Sequence, residues 1–510
     1  MLKFLVLFAL TTEYVICANI LITSTVVSPS HQNWNRVFAF GLVKRGHNVT
    51  LLDLQNDNEQ HANYSHFNVE GPYNLMGTKY KVPDFAEYTP TESVVWILNM
   101  GFDTCAEALR SQGLQRLLNY PRNFKFDLII LDVALQCCFC PLIHRFNYPP
   151  AIGTTPWPLP TFLTWDFGNP LQSTYIPWYN FPYGEDMTLI ERFWNHIFTY
   201  SEILLKSRFI NKLEEKLIKT FGDDIPPLKK LERHISLLLS NHDLLLHYPQ
   251  ALAPNLIPAG GLHIASPKEL PRELASVLDD AKNGVIVFSL GTNMRSDFLK
   301  KKLQRSLLDA FSNLSEIVIW KFESEMDNLP KNVIVRKWLP QNDILGHPNV
   351  KLFIGHGGAL STQEAIYHGV PMICIPFFLD QIVHSGTIVR EKLGLSLYYK
   401  EITTELFLTR IREVLNNSVY RENMKKLSRL YKDRQEHPLE RAIFWAEYAM
   451  RHNGTHILDI PDRDLSYFQT LSLDLVALFI VFCMVSCLLL YKIVKIIVSK
   501  FKLVKLHILL

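Results

Sequence analysis

The sequence predicts two Rossmann-like, doubly wound α/β domains facing each other, followed by one C-terminal transmembrane helix. Three observations carry that expectation. Short apolar runs alternate with helix-length segments in two successive series, a Pro-, Gly- and Ala-rich stretch divides the series, and an uncharged run lies near the C-terminus. A chain of 510 residues is also too long for a single hydrophobic core.

The elements follow in order. Lys3, an apolar run to Leu10 and small residues near Ala18 describe a secretory signal over 1–17. Asn19-Ile-Leu-Ile-Thr23 is a short apolar strand of the kind parallel sheets bury on both faces. A Ser/Pro/His turn at Ser28 to His31, a helix ending at Arg45-Gly46 and a strand at Val49 to Asp53 complete one βαβ unit. Phe126 to Asp132 and Ala151 to Gly153 are further strands of a first domain covering 18–245. Within it, 156–182 is rich in Trp, Tyr, Phe and Pro and reads as an irregular apolar loop. The segment 246–271, with Ala259-Gly260-Gly261, reads as the linker. Runs at 284–290, 317–320, 332–335, 351–354 and 371–375 then build a second domain over 272–455.

A juxtamembrane segment, 456–474, leads into the spanning helix, 475–491. The tail, 492–510, carries Lys492, Lys495, Lys500, Lys502 and Lys505 and no acidic residue. The positive-inside rule makes this tail cytoplasmic and both domains luminal, which is also what the signal requires. A single-pass type I protein of the endoplasmic reticulum membrane is the expectation. These lysines more than account for the net charge of +3, so no nucleic-acid partner is expected.

Glycosylation sequons begin at Asn48, Asn63, Asn313, Asn416 and Asn453. Asn48 enters a strand expected to be buried, so its use is not expected. Cys105, Cys137, Cys138, Cys140 and Cys374 show no zinc-ligand pattern. Cys137 and Cys140 sit in an apolar run after a strand, and simple burial is the expectation over redox or metal chemistry.

The most informative stretch runs from Phe353 to Gln381. A strand ends, Gly355-His356-Gly357-Gly358 turns, and Ser361-Thr362-Gln363-Glu364 opens a helix. Glycines let a ligand approach the backbone, and a helix N-terminus offers free N–H groups, so this suits a diphosphate. Asp380-Gln381 follows another strand, well placed to bond sugar hydroxyls.

His356, Glu364, Pro371, Pro376, Asp380 and Gln381, in this order and spacing, resemble the signature of the UDP-glycosyltransferases. Trp338-Leu339-Pro340-Gln341 and Phe288-Ser-Leu-Gly291 resemble other parts of that family's donor site, and the form Leu360 to Ala365 looks like that of invertebrate members. The resemblance implies a GT-B type fold and an inverting transferase moving a hexose from a UDP-sugar, a co-substrate, to a small lipophilic acceptor. It implies no resident cofactor and no metal, and it is compatible with an oligomer. It assigns Trp338 to stacking on uracil, Gln341 to the nucleoside and Glu364 to the ribose. His356, Gly358, Ser361 and Thr292 would hold the diphosphate, and Asp380 and Gln381 would read the sugar. It makes His31 the base and Asp132 its partner, a reading that their places after two strands also suit. Gly355 and Thr292 depart slightly from the pattern, where Ser or Thr and Ser respectively are common. His47, His144 and His263 have no such support and read as structural or surface residues.

The resemblance to invertebrate members implies glucose as the favoured sugar, with glucuronate, the donor linked with vertebrate members, as the alternative; a glucuronate site should supply a cation, which the sequence does not locate. A non-catalytic lipophile-binding protein is the alternative from another class, and the presence of His31, Gln341 and Glu364 argues against it. A membrane receptor would leave the phosphate motif unexplained.

Overall fold

The computed structural model describes residues 17–56, 59–85, 87–181 and 183–508. All but the last residue of the expected signal, and the Leu509-Leu510 end, lie outside them. Met1–Asp459 forms one compact unit and Ile460–Leu510 another.

The first unit is built on two wholly parallel sheets. One contains β1 (Asn19–Thr23), β2 (Asn48–Asp53), β3 (Tyr64–Asn68), β4 (Leu128–Asp132), β5 (Ala151–Thr155), β6 (Ile235–Ser240) and β7 (Leu256–Pro258), in the order β3-β2-β1-β4-β5-β6-β7. The other contains β8 (Val285–Ser289), β9 (Ile317–Lys321), β10 (Val333–Arg336), β11 (Val350–Gly355), β12 (Met372–Cys374) and β13 (Gly394–Ser396), in the order β10-β9-β8-β11-β12-β13. Strands β4, β5, β6 and β8 are buried along their whole length, the reason β4 and β8 read as apolar runs up to their last residue. Each order reverses at its first strand, between β1 and β4 and between β8 and β11. Connections diverge there and leave a crevice at the strands' carboxyl ends. The two-sheet α/β architecture predicted from sequence is what the chain adopts.

The helix Pro29–Lys44 begins with Pro in its first turn and ends before Gly46, whose φ of +91° stops it. Its buried stripe of His31, Trp34, Asn35, Phe38 and Leu42 follows helical spacing. The face that packs Trp34 and Phe38 into the core therefore also turns His31 and Asn35 toward the strand ends.

Several expectations need correcting. The segment 246–271 is not only a connection, because β7 lies inside it and pairs with β6. The helix Pro438–Arg451, inside the second domain by sequence, packs Ala442, Ile443, Ala446 and Ala449 into the core of the first sheet. Cys137 and Cys140, expected merely to be buried, are disulfide-bonded to each other, Cys105 and Cys138 form a second disulfide, and Cys374 is buried and unpaired. Asn48 is exposed at the mouth of β2, contrary to expectation, and Asn313, Asn416 and Asn453 are exposed too.

The second unit contains the helix Leu473–Ile508. Its apolar span, Leu473–Lys500, has 28 residues, and an 18-residue window within it has a mean hydropathy of 2.8. At 1.5 Å per residue that is about 42 Å, long enough to cross a bilayer with tilt. It extends past the expected 475–491 because the helix continues through Lys492 and Lys495.

Candidate active site

At the first switch point, Asp132 ends β4 and His31 stands in the first turn of the helix after β1. Both are buried, His31 at 2% and Asp132 at 5% exposure. His31 Nδ1 lies 3.2 Å from Asp132 Oδ2. That same oxygen accepts from Ser24 Oγ at 2.9 Å and Asn35 Nδ2 at 3.0 Å, while Oδ1 accepts from the Ala134 amide at 3.1 Å. Asn35 is itself fixed by Thr154 Oγ1 at 2.9 Å, and Gln32 donates to Ser24 Oγ and to the Val26 carbonyl. A carboxylate with four donors is held in one orientation. It fixes the Nδ1–H tautomer of the imidazole and leaves Nε2 as an acceptor. The ring edge of His31 packs on Trp157, centroids 5.7 Å apart.

The second switch point gathers the donor-motif residues. Thr292 follows β8 in the turn begun by Gly291, and His356 and Gly358 follow β11, with Gly358 capping the helix Ala359–His368. His356 is clasped by two glycines. A Cβ at Gly291 would come within 2.5 Å of its Cε1, and one at Gly358 within 2.3 Å of its Nε2. His356 Nδ1 is buried without a hydrogen-bond partner. Burial pushes this imidazole down to about 4, with His384 and Lys321 adding to the shift, so the ring is neutral near pH 7. It offers a donor there, not a charge. Ser361 Oγ bonds the Gly358 carbonyl at 3.2 Å. Gly355 also has a physical reason, since a Cβ there would strike the Phe353 ring at 2.8 Å.

Glu364, one turn into the same helix, accepts from Gln341 Nε2 at 2.6 Å. Burial raises its carboxyl to about 7, partly offset by that hydrogen bond. His263, read as structural, lies 4.0 Å from Glu364 and bonds the Leu360 carbonyl at 3.2 Å. Trp338 is 69% exposed. That excludes a core role and leaves its indole face available for stacking.

Asp380 opens the helix Asp380–Arg390 directly after Leu379, whose φ of +55° is costly for a branched side chain. The strain is held by burial and by an Asn180 side chain accepting from the Leu379 amide at 3.4 Å. Burial raises the Asp380 carboxyl, while His384, four residues on in the same helix, and then His31 draw it back. Gln381 is not wholly free: its Oε1 accepts from the amides of Phe377 at 2.9 Å and Phe378 at 3.3 Å. Its NH2 remains for a ligand.

Lys321 was missed by sequence reasoning. It ends β9, is buried at 7% exposure, donates to the Gly291 carbonyl at 3.0 Å and sits 6.0 Å from the Trp338 ring. The signal was a lysine closing an otherwise apolar strand. A pocket of about 590 Å³ lies beside Asp380, walled by Trp157 to Pro160, Ile176, Pro177 and Tyr179 of the first domain and by Leu379 and Val383 of the second. The aromatic loop expected to be greasy is thus one of its walls. His31 does not itself line this pocket, but its ring packs on Trp157, which does.

Two parallel sheets whose switch points face each other, one bearing a histidine–carboxylate pair and the other glycine turns at a helix N-terminus, define a two-domain nucleotide-sugar transferase. Solved structures agree on the fold. Spinosyn forosaminyltransferase SpnP superposes with a TM-score of 0.57 at 16% identity, covering 85% of this chain and 100% of that one. Glycosyltransferase VinC in complex with dTDP gives 0.55 at 14%, covering 85% and 100%. The family model "UDP-glucoronosyl and UDP-glucosyl transferase" matches residues 41–506. UDP-glycosyltransferase UGT5 of Dactylopius coccus is 34% identical over 88% of this chain and 86% of its own length. Human UDP-glucuronosyltransferase 1A9 is 32% identical over 74% and 71%. The chain belongs to the UDP-glucuronosyl and UDP-glucosyl transferase family, and it is a UDP-sugar transferase.

Proposed function

We propose that the protein transfers glucose, with inversion, from UDP-glucose to a hydroxyl of a small lipophilic acceptor. The observation that carries this reading is the buried His31–Asp132 pair at the first switch point. His31 Nε2 takes the acceptor's hydroxyl proton as that oxygen attacks the anomeric carbon from the face opposite UDP. The bond from that carbon to the phosphate oxygen breaks, and its electrons leave with UDP. Asp132 stabilises the imidazolium that forms.

The donor is held by the second domain. Trp338 stacks on uracil, Gln341 bonds the nucleoside and Glu364 accepts from the ribose hydroxyls. The amides opening the helix Ala359–His368, with Thr292, Ser361 and the neutral His356, hold the diphosphate, and Lys321, ion-paired with Glu323, lies nearby. His356 Nδ1, buried and unpaired, is a donor or acceptor waiting for such a ligand. Asp380 and the NH2 of Gln381 take the sugar hydroxyls. Glucose is favoured over glucuronate because Asp380 would repel a second carboxylate and no Lys or Arg lines the adjoining pocket. The span Leu473–Lys500 anchors the protein in a membrane, with the domains luminal.

Membranes from cells expressing wild type or His31→Ala would be incubated with UDP-glucose, UDP-glucuronate or UDP-galactose and a panel of phenols, and conjugates read by mass spectrometry. Wild type alone is expected to form product, with UDP-glucose preferred. Equal product from both proteins would remove His31 as base, and preference for UDP-glucuronate would overturn the sugar.

A further inference from the structure

The pocket beside Asp380 is mostly apolar, yet one buried polar side chain in its wall has no partner. His242, just beyond the end of β6, is 1% exposed and lines the pocket. Neither of its ring nitrogens makes a hydrogen bond. Its polar neighbours are already committed. His247 Nδ1 takes the Asp243 amide at 2.9 Å, its Nε2 meets His384 Nε2 at 3.0 Å, and His384 Nδ1 reaches the Gly357 carbonyl at 2.8 Å. That chain fixes both rings as neutral tautomers and leaves nothing for His242, which only stacks on His247 with centroids 5.0 Å apart. The Tyr179 hydroxyl is given to Glu202 and the Tyr248 hydroxyl to the Tyr183 carbonyl. No group of three or more His, Cys, Asp or Glu among the described residues could hold a metal ion, so the imidazole cluster is not a metal site.

An imidazole buried without a partner costs stability. We propose that His242 is a specificity-determining residue, and that the pocket takes an uncharged, largely apolar acceptor carrying a second hydroxyl or a carbonyl besides the hydroxyl that is glycosylated. This rests on the catalytic reading above for the identity of the pocket as the acceptor site. The chemistry of the second group follows from the ring. Burial pushes His242 down to about 4, so near neutral pH it presents one donor and one acceptor. A hydroxyl satisfies either nitrogen and a carbonyl satisfies the N–H. Asp380 in the same wall, and the absence of Lys or Arg from the lining, disfavour an anion.

The test is calorimetric binding to the full-length protein in detergent, saturated with UDP, comparing naphthol with the dihydroxynaphthalene isomers. At least one isomer is expected to bind wild type roughly 10-fold more tightly than naphthol, the worth of one buried neutral hydrogen bond. His242→Leu should shrink that ratio to about 1 without weakening naphthol itself. His242→Gln, which keeps a donor and an acceptor, should restore part of it. If no isomer is preferred by wild type, or if the preference survives in His242→Leu, the proposal is overturned. The two readings fail separately. Conjugate formation by His31→Ala would sink the proposed base and leave this binding ratio standing, whereas loss of the ratio would leave His31 untouched.

Discussion

Asp132→Asn changes one oxygen to NH2 and little else, yet the site has no place for that group. If the amide oxygen keeps the Oδ2 position, the NH2 faces the Ala134 amide, which now lacks an acceptor. If the amide flips, the NH2 meets Ser24, Asn35 and His31, all placed to donate to Oδ2. Either orientation leaves at least one buried donor unsatisfied, costing about 1–3 kcal/mol of stability. The larger effect is on the imidazolium formed during transfer. At the observed 3.2 Å and an effective dielectric of about 20, the lost attraction is roughly 5 kcal/mol at most. That corresponds to a fall in kcat of roughly a thousandfold or somewhat more. Steady-state kinetics at saturating UDP-glucose, with kcat and KM resolved for one phenol and melting followed in parallel, measures both terms. UDP affinity should not move, since Asp132 touches no donor group. Ser24→Ala removes one of three donors from the same oxygen and should lower kcat by roughly 10-fold or less. A folded Asp132→Asn protein with kcat near that of wild type would refute the role given to the pair.

Other outcomes follow from the donor half. Trp338→Ala should leave the melting temperature unchanged, because the ring is exposed, and weaken UDP binding by roughly 10- to 100-fold through lost stacking on the base. Gly358→Ala should raise the KM for UDP-glucose by pushing the His356 ring aside, while a phenol's own affinity stays constant; an unchanged KM would mean that His356 does not hold the donor. Glu364 gives a pH signature. Its carboxyl sits at about 7 in the fold against 4.5 unfolded, so affinity for UDP-glucose should fall by up to about 10-fold per pH unit below 7 and level off above it. Glu364→Gln should be weaker and flat with pH. The same shift costs stability at high pH, since the proton retained below about 7 is lost above it. Removing the Cys105–Cys138 bridge with paired Cys→Ala changes frees a loop of 33 residues and should lower unfolding stability by about 3–4 kcal/mol, read by denaturant titration.

The two sheets were legible because most of their inner strands are buried on both faces and carry mainly apolar residues. What failed to show in the sequence lies mostly at the edges, although the inner strand β6, an apolar run broken by Ser236, was missed too. Strand β3, with Ser65, His66 and Asn68 among its five residues, is only partly buried and has no apolar run. β7 ends in a proline within a Pro-rich segment, and β13 has three residues beginning with glycine. Each is defined by its neighbour's hydrogen bonds, not by its own pattern. The helix Pro438–Arg451 has an ordinary amphipathic face, and nothing in that face states which sheet it will cover. The site divided likewise. His31, Asp132 and the motif residues stand at predictable strand ends. Lys321 and His242 matter because of what surrounds them, and Cys pairing depends on the distance between elements that the spacing along the chain does not encode.

The catalytic geometry depends on how the two domains meet, and that seam combines an apolar cluster with specific polar contacts. Asn293 donates to Ser28, three residues before His31, at 2.9 Å. Asn180 holds the Leu379 amide, and the His247–His384 contact ties the end of the first domain to the helix that Asp380 begins. Apolar packing adds Phe85 against Phe378, with centroids 4.9 Å apart. Each polar contact touches the chain within a few residues of a group that must act on acceptor or sugar. A hydrogen bond has a direction and a length, whereas apolar contact tolerates sliding. The polar contacts therefore fix where Asp380 stands relative to His31, and the strained backbone at Leu379 persists because Asn180 and the seam around it hold it there. Loosening the seam should lower turnover without removing any group that touches substrate, since a displacement of about 1 Å between base and anomeric carbon is enough to cost roughly 100-fold in rate.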